Sequence, residues 1–246
     1  MKFNNDLIFN NYLKECQELG FGAQGTVYLD KTKNLAIKVY HQYFDRYEDD
    51  YIWKKEDILK FNGFQNNTYI FPSDILSVNK EIIGEISRYV KGKNLDKINP
   101  LTINIDEFIK AIDKCLNDVK EISKQHIVSY DTAYNTMYNG NSIHIIDTTE
   151  YTISNLSEEK IIKINQDNFN MTIMTFLIDS YFEEFIENNK ILKEMYLEKN
   201  VDILEFLRLY KLKLSEYIGF EIKELKDASK CLNKKPRITK YIRNIY

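Results

Sequence analysis

Glycine and proline are scarce in this chain, with 8 and 3 among 246 residues. That excludes collagen-like and Pro/Gly-rich disordered chains, and it leaves room for long helices. The three cysteines, Cys16, Cys115 and Cys231, lie far apart without a CxxC pair, so no zinc-ligand pattern is present. Their odd number, with no secretory run in the N-terminal MKFNNDLIFNNYLK, points to a reducing interior, and cytoplasm is the expected location. No stretch approaches the ~20 apolar residues needed to cross a bilayer, so no membrane span is expected. Charge of one sign is also lacking. A formal net charge of −3 argues against general nucleic-acid binding, which usually rests on a basic excess.

The last stretch is locally basic: Lys223, Lys226, Lys230, Lys234, Lys235, Arg237, Lys240 and Arg243 stand against Glu224 and Asp227. It reads either as a docking patch for an anionic partner or membrane surface, or as a solvated basic C-terminal helix. What the chain has in quantity is apolar and aromatic material, 43% hydrophobic with 18 Tyr and 14 Phe. That suffices for one large domain or one domain of two lobes.

Residues 1–90 read as mostly strand with one helix. Residues 19–29 and 34–40 are β-rich runs around a polar turn at 30–33, and 73–78 and 81–90 form a second pair around Asn79 and Lys80. The charged stretch 47–61, with Tyr51, Ile52, Trp53, Ile58 and Leu59 interspersed, suits a helix. Residues 91–246 are mainly helical. Phe108, Ile109, Ile112, Leu116, Val119 and Ile122 give 106–124 a strong amphipathic period. A short strand is expected at 142–146, and helices at 171–187, 190–199, 201–217 and 222–232. The fold class is α+β, a small β-rich half followed by a larger helical one, with a hinge near 88–95.

Three of the few glycines fall in Gly20-Phe21-Gly22-Ala23-Gln24-Gly25, a G-x-G-x-x-G run followed by Thr26 and Val27. Chance placement of three at this spacing is about 1%, for a motif with a known phosphate-binding mechanism. In a dinucleotide fold such glycines open a helix. Here strand-like residues follow, which favours a hairpin whose backbone amides cover phosphates. Then comes Leu35-Ala36-Ile37-Lys38-Val39, close to the V-A-I-K pattern that places a fixed cation beside the α/β-phosphates. A half-buried lysine needs a carboxylate partner. Glu56 is the first choice, with Glu48 and Asp57 as alternatives. The plainer alternative is a surface hairpin with an ordinary lysine.

On these motifs the chain, from about residue 18 to 149, resembles the protein-kinase-like superfamily, which implies a two-lobed fold with 1–90 as the N-lobe and 91–246 as the C-lobe. The resemblance implies ATP held by Gly20, Phe21, Gly22, Ala23, Gln24, Gly25, Val27, Ala36 and Lys38, with Glu56 as the lysine's partner. It places Ser87 at the back of the pocket and Arg88, Tyr89 and Val90 along the adenine-binding hinge. Ser129-Tyr130-Asp131 stands where the family has H-R-D, so Asp131 would accept the substrate hydroxyl proton. Asn135 and Asp147 would ligate Mg²⁺. The chain departs from the family in several places, with Arg88 where the hinge has an acid and Ala133 where serine/threonine kinases often carry a lysine. Asp131 to Asn135 is one residue short, Thr148-Thr149 replaces Phe-Gly, and no A-P-E follows. The function this implies is an ATP- and Mg²⁺-dependent phosphotransferase acting on a protein Ser/Thr hydroxyl. The alternatives are a small-molecule kinase of the aminoglycoside or choline type and a non-catalytic pseudokinase. His41 and His144 are isolated, with His144 on the solvent face of its strand, and His126 ends a helix, where a cation suits the dipole and a structural role is expected.

Overall fold

The computed structural model describes residues 1–41, 54–179, 181–198 and 201–233. The chain is α+β and divides into two compact units. The first holds Met1–Lys91 together with Ile146–Glu150, and the second holds Gly92–Ile145 and the chain from Tyr151 onward. A boundary at 90/91 therefore leaves out the segment Ile146–Glu150, which belongs with the first unit.

The first unit begins with β1 (Lys2–Phe3) and α1 (Asp6–Glu15), followed by β2 (Gln17–Phe21), β3 (Gly25–Asp30) and β4 (Leu35–Tyr40). After the undescribed residues come α2 (Lys55–Ile58), β5 (Asp74–Val78) and β6 (Glu81–Arg88). The six strands form one mixed sheet in the order β1-β5-β6-β4-β3-β2, antiparallel throughout except for β1 beside β5. One helix was expected here, and the unit has α1 as well. Asn5 caps it by accepting the Ile8 N–H at 2.9 Å, and Phe9 enters the core with Ile37, Val39, Leu76, Val78 and Ile86. Leu7 and Ile8 stay exposed, so Leu7-Ile8-Phe9 carries no helical period to read. Of the helix expected over 47–61, only Lys55–Ile58 is helical among the described residues. Residues 42–53, Glu48 among them, lie outside these.

The second unit contains β7 (Lys93–Asn94), α3 (Ile105–Lys124), β8 (Ile127–Val128), α4 (Thr132–Asn135), β9 (Thr136–Tyr138), β10 (Ile143–Ile145) and β11 (Thr152–Ile153). Then come α5 (Glu158–Ile178), α6 (Glu183–Glu187), α7 (Lys190–Leu197) and α8 (Ile203–Ile218). Its core is built on α3, whose buried Phe108, Ile112, Cys115, Val119 and Ile122 follow the expected period. Asn104 caps that helix by accepting the Glu107 N–H at 3.1 Å. α5 starts well before residue 171 and stops at Ile178. The next residue, Asp179, leaves helical dihedrals at φ −58, ψ 140, and its buried carboxylate accepts the Tyr196 hydroxyl at 2.7 Å. That contact splits the single helix expected over 171–187. The stretch expected as a helix over 222–232 is instead a 3₁₀ helix, Leu225–Cys231, broken at Ala228 and opened by a reciprocal Glu224/Asp227 cap. Lys234, Lys235, Arg237, Lys240 and Arg243 of the basic stretch lie outside the described residues. No described helix is long and apolar enough to cross a membrane.

Candidate functional site

Strand register decides which side chains share a face, because directly opposite residues point the same way and successive residues alternate. Val27 pairs with Lys38, Lys38 with Glu85, and Ala36 with Ser87. Val27, Ala36, Lys38, Glu85 and Ser87 therefore lie on one face of the sheet. The opposite face carries Ile37, Val39, Leu76 and Ile86, and α1 covers it through Phe9. Four of these five residues were candidates from sequence. The fifth, Glu85, was not.

Lys38 and Val39 run between two strands at unusually close range. A Cβ on Gly25 would meet the Val39 carbonyl oxygen at 2.5 Å, and one on Gly84 would meet the Lys38 carbonyl oxygen at 2.0 Å. Both positions exclude any side chain. By contrast, a Cβ on Gly20 meets nothing within 4 Å, and one on Gly22 only the Gly25 oxygen at 3.8 Å. The motif's glycines thus divide into two that leave open space and one that is a packing requirement.

The turn between β2 and β3 is held from inside its own unit. Gly22 N–H donates to the Gly25 carbonyl at 2.9 Å, and His41 N–H donates to the Gln24 carbonyl at 3.0 Å. The His41 ring stacks on Phe21 with centroids 4.4 Å apart, and its Nδ1 lies 2.9 Å from the Ala23 oxygen. His41, read from sequence as isolated, buttresses the turn.

Among the described residues Lys38 has two bonded partners. Its Nζ donates to Gln24 Oε1 at 2.8 Å and to Asp147 Oδ1 at 2.5 Å, with its side chain 12% exposed and that of Asp147 35%. Glu56 is not one of them; it lies exposed on α2. Gln24 also donates to Glu150. No protein-family model matches the chain, and no curated protein does. The site's case therefore rests on its own chemistry.

Thr148 and Thr149 supply the reason that Asp147 sits where it does. Thr148 Oγ1 donates to the Ile70 carbonyl at 2.9 Å and Thr149 Oγ1 to Glu85 Oε2 at 2.6 Å, both buried. Asp147 itself takes a left-handed backbone, φ 57, which its short polar side chain tolerates. Its Oδ2 makes no hydrogen bond among the described residues. Glu85, 6% exposed, also accepts the Tyr40 hydroxyl at 2.9 Å. Burial pushes the Glu85 carboxyl above the usual range, and the nearby Lys38 charge opposes that.

The expected adenine-side residues are at the end of β6 and beyond. Ser87 is half-buried. Arg88 is exposed and donates to the Asn66 and Asn67 carbonyls at 2.8 and 2.9 Å. Tyr89 N–H donates to Asn34 O at 3.1 Å, and Val90 follows half-buried.

In the second unit, Asp131 is exposed and left-handed (φ 46, ψ 40). Asn135 Nδ2 donates to the Asp131 carbonyl at 3.0 Å. The four-residue spacing thus closes one helical turn, α4, which accounts for the shortened motif. Asn135 Oδ1 makes no hydrogen bond among the described residues. The segment is pinned by a polar row on α5 that sequence reasoning missed. Asn165 Oδ1 accepts from Ser129 N and Oγ at 2.8 and 3.0 Å, and its Nδ2 donates to Ser123 Oγ and Ile127 O, both at 2.8 Å. Asn168 Nδ2 donates to Ser129 O at 2.7 Å, and Thr172 bonds Thr132 at 2.7 Å. The available signal was Asn165, Asn168 and Thr172 at spacings of three and four, one line along the helix.

Proposed function

We propose that this protein is an ATP- and Mg²⁺-dependent phosphotransferase of protein-kinase-like fold. The observation that carries the reading is the Lys38–Asp147 pair beside the glycine turn, on the sheet face that α1 leaves uncovered. An ammonium held by a strand, next to turn amides with open space above Gly20 and Gly22, suits a polyphosphate. Asp147 keeps one carboxylate oxygen for a hard cation.

The donor set fits Mg²⁺. That ion is usually held by one or two protein oxygens plus substrate phosphates, rather than by an all-protein cage. Asp147 is the residue of the first unit that would hold the ion, which would neutralise phosphate charge as it transfers. Lys38 would orient the phosphates, and Asp131 would take the proton of the acceptor hydroxyl. The chain between Glu150 and Ser157 holds only the two-residue β11 before α5 begins. So short a stretch gives the small-molecule acceptor reading a specific support beside the protein Ser/Thr one.

The test is incubation with labelled ATP and Mg²⁺, searching for label on the protein, on generic protein substrates and on small amino alcohols. Transfer that falls 10²–10³-fold in Lys38→Met, with Mg²⁺-dependent nucleotide binding lost in Asp147→Asn, is expected. Absence of nucleotide binding by the unaltered protein sinks the reading.

A further inference from the structure

We propose that Glu85 is a positioning residue for Lys38: a fixed, buried counter-charge on the adjacent strand that keeps the ammonium at a nucleotide's phosphates while Asp147 turns to a metal ion. The inference rests on the nucleotide reading above and names the anchor which that reading lacks. A lysine with Asp147 as its sole counter-charge would lose it whenever the carboxylate engages a cation.

Three observations converge on Glu85. It is the direct cross-strand partner of Lys38 in the β4–β6 ladder, so their side chains leave the same face about 5 Å apart at Cβ. The two strands approach at that point so closely that only glycine fits at position 84, immediately beside it. The Glu85 carboxylate is buried, and both hydroxyls that reach it, from Tyr40 and Thr149, go to Oε2. Its Oε1 takes no hydrogen bond among the described residues. A buried carboxylate is costly without a cation nearby, and Lys38 is the cation whose charge acts on it. The ammonium has three protons, of which Gln24 and Asp147 take two.

This arrangement has a consequence for how the site works. Where a lysine's carboxylate sits on a mobile helix, the helix must be in place before the lysine is. Here both charges lie on neighbouring strands of one sheet, and Thr149 ties the same carboxylate to the segment carrying Asp147. Lys38 is thereby set before ligand arrives, which is the preorganisation that electrostatic stabilisation of a transferring phosphoryl group needs.

Two measurements on the full chain test it. First, the dissociation constants of Mg-ATP and of adenosine are compared for the unaltered protein and for Glu85→Gln, which keeps an oxygen for Tyr40 and Thr149. The expected result is Mg-ATP weakened about tenfold with adenosine unchanged. Equal weakening of both, or of neither, overturns the positioning role. Second, urea unfolding without nucleotide compares Lys38→Met, Glu85→Gln and the double variant. Glu85→Gln is expected to lower the midpoint in the parent, and to restore part of the loss in the Lys38→Met background, where the carboxylate is stranded. Strict additivity overturns the pairing. If the unaltered protein binds no Mg-ATP, the functional reading fails and the positioning role fails with it. The unfolding cycle then still decides whether the two side chains are coupled.

Discussion

The segment Ile146–Glu150 in the first unit and the segment 127–136 in the second are each pinned within their own unit, by different chemistry. Asp147 is held by an ammonium, and the threonines after it bond a carbonyl and a buried carboxylate. The segment carrying Asp131 is held by neutral groups, with Asn165 satisfying Ser129, Ser123 and Ile127 at once. Charges can exchange partners when a ligand brings its own, and Gln24, Lys38, Asp147 and Glu150 form a chain of such partners. An amide with all of its bonds made has nothing to exchange. The contrast assigns exchangeable charged contacts to the segment carrying Asp147 and a fixed neutral scaffold to the segment carrying Asp131.

Breaking the rigid side is expected to have the largest effect on stability. Asn165→Ala removes four hydrogen bonds and leaves the Ser129 N–H buried without its partner. A loss of about 3 kcal/mol is expected in denaturant unfolding. Because no charge is removed, the loss should be the same at low and high salt. A salt-dependent loss, or one below about 1 kcal/mol, would refute the assignment of rigidity to this amide.

The buried carboxylates sharpen the same comparison. Glu85 has Lys38 beside it, whereas among the described residues Asp179 in the second unit has the Tyr196 hydroxyl and the like charge of Glu183. Burial, reinforced by Glu183 and opposed by Tyr196, raises the Asp179 carboxyl from 3.8 to about 6. Between those values the folded state keeps a proton that the unfolded state gives up. The Asp179 contribution to stability therefore falls as pH rises through that window, and stays lost above about 6. Asn has no such penalty. The melting temperature of Asp179→Asn should gain on that of the unaltered protein from pH 4 to pH 7, by the equivalent of about 2 kcal/mol. A gap that does not change with pH would show that Asp179 is not held protonated by burial.

Much of this was legible where the pattern is local. The strand pairs around residues 30–33 and 79–80, and the helix over 106–124, follow from alternation and from a 3.6-residue period that one buried face enforces. The candidate residues Val27, Ala36, Lys38 and Ser87 share a face for the same reason. What escaped reading was set by contacts distant in sequence. Glu85 sits among apolar residues in a strand, and only its register opposite Lys38 gives it meaning. Thr148 and Thr149 appear as a mere departure from a motif until their partners, Ile70 and Glu85, are known. α5 was read short because its first half, residues 158–170, is mostly charged and polar, and Asn165 and Asn168 there make the contacts that pin Ser129. α1 contributes a single fully buried side chain, Phe9, too little to write a period.

The smallest expected effect bears on the residue that sequence favoured as the partner of Lys38. Glu56 lies in the first turn of the four-residue α2 and is exposed, while its neighbour Ile58 packs with Tyr40 and Ile75. An exposed carboxylate screened by water contributes little to an ion pair. Glu56→Gln should therefore shift unfolding by less than about 0.5 kcal/mol and change Mg-ATP affinity by less than about twofold. Glu85→Gln should weaken Mg-ATP about tenfold under the same conditions. The two substitutions remove the same charge and add the same amide, so the difference between them isolates position. Equal effects on Mg-ATP would mean that the strand position opposite Lys38 confers no advantage, and Glu85 would lose its positioning role.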